Sequence, residues 1–203
     1  DSKRPLQGKC RLIRGLDEEH VKLSDGMING DYHRYRDGVL RESGIYVKGK
    51  RNGTFTEYYQ DGVTPRKETP ILQGKIDGTV KTYFRNGKIE IEKEYKQSVE
   101  NGRERRFANK TGKQIFESHY IDGKKDGEEW EIFEDGRAIR SKTTCHYRNG
   151  KLDGSYRVES TWEGKPYITI EGQYTDGEKS GQWIQHNYQD NTQPCTWHGE
   201  GGA

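Results

Sequence analysis

The chain has no long hydrophobic run. No apolar stretch among its 203 residues approaches the roughly 20 that a membrane-spanning helix needs. Aliphatic residues are scarce as well. Leu, Ile, Val and Phe together supply 33 residues, about 16%, a level at which a thick aliphatic core is excluded and disorder has to be considered. Charge of one sign is lacking too. Lys and Arg number 35 against 33 Asp and Glu, a net of +2, and the signs are interspersed along the chain, which gives no reason to expect nucleic acid. Cysteine is limited to Cys10, Cys145 and Cys195. An odd number suits one bridge plus one free thiol in an oxidising compartment, or three free thiols in the cytosol. The first residue is Asp1 rather than Met, so a signal peptide, tag or upstream domain is expected to have been removed.

Enzymatic constellations are missing from the sequence. The six histidines form no H-E-x-x-H, and neither G-x-S-x-G nor G-x-x-x-x-G-K-[ST] occurs. Cys145-His146 and Cys195-x-x-His198 are two short pairs, too few ligands apiece for a tetrahedral metal site. The expectation is a non-enzyme with no catalytic residue, no metal and no cofactor.

What the chain does have is 26 glycines, 13 tyrosines and 4 tryptophans, and they are periodic. The element G-x-x-x-G occurs at Gly26–Gly30, Gly49–Gly53, Gly74–Gly78, Gly123–Gly127, Gly150–Gly154 and Gly177–Gly181, with a degenerate copy at Ser98–Gly102. Successive second glycines are 23, 25, 24, 25, 27 and 27 residues apart. Three residues before the first position stand Leu23, Tyr46, Ile71, Tyr95, Tyr120, Tyr147 and Tyr174. Five after the second stand Tyr35, Tyr58, Tyr83, Phe107, Ile132, Glu159 and His186. A further turn follows in most copies, as in "RDG" at 36–38, "QDG" at 60–62 and "RNG" at 85–87.

Asp-Gly and Asn-Gly favour the left-handed angles of tight hairpins, and the segments between them carry the Tyr, Thr, Ile and Val of strands. Each copy therefore reads as one β-hairpin, and a lone hairpin is marginal in water. The fold expected is all-β: an elongated, twisted antiparallel meander of about seven stacked hairpins, with residues 1–19 a lead-in, 20–190 the repeat domain and 191–203 a tail. Gly53, Gly78, Gly127, Gly154 and Gly181 are expected to be structural turn positions at positive φ or close backbone approach.

The motif Y-x-x-G-x-x-x-G-x-[aromatic]-x-x-[YF]-x-x-[DN]-G, carried by "YVKGKRNGTFTEYYQDG" at 46–62 and by "YRNGKLDGSYRVESTWEG" at 147–164 with Glu159 in place of the late aromatic, resembles the bacterial variant of the MORN repeat. The resemblance extends over about residues 20–190. It implies kinship with YwqK-like antitoxins and with periplasmic immunity proteins that neutralise phospholipase effectors of type VI secretion. The function expected is that of an immunity protein binding a cognate toxin, with a membrane- or envelope-associated scaffold as the alternative, and the location expected is the periplasm rather than the cytoplasm.

A single-layer sheet cannot hide both faces, so accessible aromatics become candidates for partner binding. Those singled out are Tyr58, Tyr83, Phe107, Trp130 and Phe133, not all of which can point the same way. In an oxidising compartment the tail after Pro194 is expected to fold back and bridge Cys195 to Cys145, leaving Cys10 unpaired.

Overall fold

The computed structural model of the chain describes residues 5–134, 139–162, 165–185 and 195–197. Those residues are all-β, without a helix among them. They fall into two units, Asp1–Glu100 and Asn101–Ala203. In unit 1 the strands are β1 (Gly8–Arg14), β2 (Asp17–Ser24), β3 (Met27–Arg36), β4 (Val39–Val47), β5 (Lys50–Tyr58), β6 (Pro65–Leu72), β7 (Lys75–Ile76), β8 (Gly78–Tyr83) and β9 (Ile89–Lys96). In unit 2 they are β10 (Val99–Phe107), which starts at the boundary, β11 (Gln114–Ile121), β12 (Lys124–Lys125), β13 (Gly127–Glu134), β14 (Ile139–Arg148), β15 (Lys151–Trp162), β16 (Lys165–Thr175), β17 (Glu178–Gln185) and β18 (Cys195–Trp197). Within each unit the strands form an antiparallel meander, in which β6 pairs with both β7 and β8, and β11 with both β12 and β13. The expected lead-in already contributes β1, which runs against β2 from Gly8↔Leu23 to Arg14↔Asp17.

The two glycines of G-x-x-x-G have different jobs. The first forms the tight turn together with the residue before it, and both lie at positive φ: Lys48 and Gly49 at 48° and 77°, Asn149 and Gly150 at 51° and 86°. Such paired left-handed residues match the twist of the flanking strands. The degenerate copy obeys the same geometry, with Gln97 at 52° and Ser98 at 71°. The second glycine lies in or at the start of a strand. Gly53, Gly78, Gly127, Gly154 and Gly181 have φ of 80°, 117°, 106°, 119° and 65°. Gly154 falls where the β14–β15 register slips between Cys145 and Tyr147, a bulge that a side chain at its φ would strain.

The Asn or Asp before the second glycine is therefore not a turn residue. Its side chain accepts a hydrogen bond from the next copy's turn: Lys48 N donates to Asn29 Oδ1 (3.0 Å), Gln73 N to Asn52 Oδ1 (3.2 Å), Gln97 N to Asp77 Oδ2 (3.2 Å) and Asn149 N to Asp126 Oδ2 (3.0 Å). Beside each bracket the turn itself donates to the preceding hairpin, as in Gly49 N to Ile28 O (2.8 Å) and Gly150 N to Lys125 O (2.7 Å). These bonds tie one copy to the next.

The buried column is the motif's first aromatic, two residues after the second glycine. In unit 1 it supplies Tyr32, Phe55 and Val80, and Tyr32 and Phe55 cluster with Val21 and Ile71. Tyr32, Tyr46 and Phe55 form a ring triad with centroids 5.3–6.1 Å apart, a geometry that adds about 0.5–1.5 kcal/mol per pair beyond area burial. Gly44 lies directly under the Phe55 ring, so that a Cβ there would sit 2.6 Å from it. Unit 2 repeats this arrangement at its far end: Tyr156, Tyr174 and Trp183 have centroids 5.2–5.7 Å apart, with Trp183 seated on Gly172. A cation two residues before the second glycine caps the ring in both, Arg51 at 4.4 Å from Phe55 and Lys179 at 4.3 Å from Trp183.

Candidate partner-binding site

Unit 1 has a cleft of about 550 Å³ lined by Arg34, Arg36, Arg41, Arg66, Arg85, Glu57, Tyr58, Tyr59 and Gln60. Repeat stacking assembles it. Arg36, Gln60 and Arg85 each immediately precede the dipeptide of a second turn, and they recur at intervals of 24 and 25 residues. In a stack of hairpins such positions come side by side. Tyr58 hydroxyl and Ser43 Oγ are 3.0 Å apart, which fixes one ring. Tyr59 hydroxyl donates to Tyr83 O at 2.5 Å and its ring lies 5.4 Å under the Arg85 guanidinium, which fixes the other. Arg41 Nη1 donates to Tyr59 O at 3.2 Å. Asp61, in the loop beside the cleft, is held at about 2 by hydrogen bonds from Thr64 and Val63, with Arg85 adding to the effect.

Of the five aromatics expected to bind a partner, Tyr58 lines this cleft. Tyr83 is half-buried and donates its hydroxyl to Glu68 Oε2 at 2.6 Å; burial, then that carboxylate, push its hydroxyl well above the usual range. In unit 2 Phe107 is half-buried beside a register shift. Trp130 and Phe133 lie on β13 an odd number of residues apart, opposite Thr144 and Ser141, and so face opposite sides of the strand. Trp130 is half-buried with Lys142 Nζ 5.5 Å from its ring, whereas Phe133 is 63% exposed.

Unit 2 also contains an unexpected polar interior. Two copies place Glu104 and Glu129 where the others have an aromatic or valine, opposite Ser118 and Cys145 on the following strands. Glu104 is buried, accepts hydrogen bonds from Arg106 Nε (2.8 Å) and Tyr120 hydroxyl (3.2 Å), and Arg106 in turn lies 4.0 Å over Phe116. Glu129 pairs with Lys125, whose Nζ is 4.8 Å from the Tyr147 ring. Burial, then Glu129, raise the Cys145 thiol to about 11, which keeps it protonated and unreactive near neutral pH.

The expected Cys145–Cys195 bridge is not formed. Cys145 is a buried free thiol, and Cys10 is a free thiol too. Of the tail, Cys195–Trp197 is described. It continues the meander, with Cys195 on β18 opposite Gln185 of β17. That leaves β14 and β18 four strands apart, about 19 Å at 4.8 Å per strand and far beyond the ~7 Å a disulfide allows.

The sequence reading missed both the arginine cleft and the glutamate pair. The cleft's arginines come from three successive copies, with Arg41, Arg66 and Arg85 far apart along the chain, and gather only when the copies stack. The glutamates could have been found by aligning the residue two past each second glycine. No group of three or more His, Cys, Asp or Glu able to hold a metal occurs among the described residues.

Residues 76–97 match the MORN repeat variant family. The match spans one copy, from Gly78 through Tyr83 and the Asn86–Gly87 turn to Tyr95. A comparison with curated proteins finds no match. The chain carries a MORN repeat variant, a type of repeat that suggests a scaffolding or protein-binding role.

Proposed function

We propose that this protein is a non-enzymatic immunity protein that binds a cognate secreted bacterial effector, of the phospholipase class that the resemblance implies, and neutralises it in the periplasm. The observation that carries the reading is the recess holding Tyr58 and Tyr59 among five arginines. Tyrosine and arginine are the residue types that dominate binding energy at protein interfaces, and they do so from preformed pockets. The hydrogen bonds of the Tyr58 and Tyr59 hydroxyls hold both rings in place, so little ordering cost opposes association.

The test is co-purification with the effector encoded beside the gene, followed by an assay of effector activity. A stable complex and loss of activity are expected. An effector that stays fully active in saturating amounts of this protein would overturn the proposal. Cell fractionation checks the compartment, with the periplasmic fraction expected.

A further inference from the structure

We infer that the arginine cleft of unit 1 is a docking site for an acidic, Asp/Glu-bearing segment of a protein partner. The inference rests on the protein-binding reading above and names the chemistry of the partner.

The charge of unit 1 is concentrated in this cleft. Residues 1–100 contain 20 Lys and Arg against 16 Asp and Glu, a net of +4. The cleft lining has five arginines against one glutamate, which is the same +4. Outside it the unit is balanced. A lipid surface or a nucleic acid is gripped through many phosphates over a broad basic area, whereas the net charge of unit 1 equals that of this one recess. A recess of about 550 Å³ accommodates instead a few side chains of an inserted loop.

The guanidiniums are also unequally occupied. Arg66 pairs with Glu57, and Arg34 lies 3.6 Å from Glu42, which Arg51 shares at 3.0 Å. Arg36, Arg41 and Arg85 form no ion pair within 4 Å among the described residues, Arg85 acting on the Asp61 carboxylate only at longer range. Arg41 and Arg85 are nevertheless anchored, one on a carbonyl and one over a ring, so their remaining donors are held in place at little entropic cost. Planar guanidiniums with free N–H groups match the two oxygens of a carboxylate. The floor beneath them is aromatic, so the stems of Asp or Glu side chains meet apolar surface.

The test uses a fluorescein-labelled peptide of alternating Glu and Gly, read by anisotropy at low and physiological salt. Vesicles of phosphatidylglycerol and a single-stranded DNA are run in parallel. We expect the peptide to bind, binding to weaken with salt, and R36E/R85E to lose about tenfold or more in affinity, the size expected when charge-assisted hydrogen bonds are removed. A control with the same change in net charge, K50E/K75E, at exposed positions outside the cleft, should lose less than threefold. Equal losses in the two double variants would show a nonspecific charge effect and overturn the inference. Tighter binding of vesicles or DNA than of peptide would overturn it as well. If R36E/R85E fails to fold by circular dichroism, R36Q/R85Q serves in its place, with no loss of affinity again decisive against the cleft. A peptide-binding cleft with no inhibited effector leaves the inference standing and sinks the immunity reading. An effector held equally well by R36E/R85E does the reverse.

Discussion

Unit 1 and unit 2 fill the same repeat position in different ways. In unit 1 the residue two past the second glycine is Tyr32, Phe55 or Val80, all buried, and the neighbouring glycine, Gly44, lets a ring lie flat on the backbone. In unit 2 that position begins with Glu104 and Glu129 and returns to aromatic only at Tyr156 and Trp183. One backbone scheme therefore tolerates an apolar or an ionic filling. What makes the ionic filling tolerable is local. Arg106 and Lys125 bring a cation to each glutamate, and both cations lie over the rings that the glutamates would otherwise have extended. Apolar filling is the larger source of stability, because a buried ion pair gives back in attraction much of what it loses in hydration.

Substitutions can break this comparison. Phe55→Ala should have the largest effect, about 3–5 kcal/mol, because a ring only 2% exposed is replaced by a cavity over Gly44. Urea unfolding measures it. Glu104→Ala in the polar column should cost less, about 1–3 kcal/mol, since Arg106 is 44% exposed and can regain water. A cost equal to that of Phe55→Ala would mean that the ionic filling is as structural as the aromatic one. Asn52→Ala removes one bracket between copies, the bond from Gln73 N. The expected loss is about 0.5–1.5 kcal/mol, and amide exchange at Gln73 should quicken while Phe55 stays protected.

The smallest effect concerns pH. Asp61 is held at about 2, below its ordinary 3.8, by Thr64 and Val63. A carboxyl depressed in the folded state contributes stability above its unfolded value and loses that contribution as pH falls through the folded one. The melting temperature of Asp61→Asn should thus fall less steeply between pH 4 and about 2 than that of the parent. Parallel curves would show that the loop's hydrogen bonds do not persist in solution.

Much of the fold was legible because the hairpin signal is local. Seven turns written as Asp-Gly, Lys-Gly, Gln-Gly, Asn-Gly or Gln-Ser fix strand limits, and the period fixes which strands are neighbours. The site was less legible. Tyr58 could be singled out by its column, but Arg36 and Arg41 belong to one copy, Arg66 to the next and Arg85 to a third, and the three sets meet only through stacking. The bracket role of Asn29, Asn52, Asp77 and Asp126 was hidden by their adjacency to glycine, which reads as a turn signal in its own right. The Cys145–Cys195 expectation rests on a proline ending the sheet. Pro194 is followed instead by a strand that extends it.

The brackets have a consequence for how such a chain changes in evolution. Each joins a side chain in one copy to the turn about 20 residues further on, and no bracket skips a copy. The stability of the array then resembles a sum over neighbours. Duplication or loss of a bracketed copy regenerates the same seam, because a copy such as 46–70 brings the donor of one bracket in Lys48 and the acceptor of the next in Asn52. Copy number can drift while the seam is preserved, and recognition surfaces such as the arginine cleft can be moved along the array by the same event.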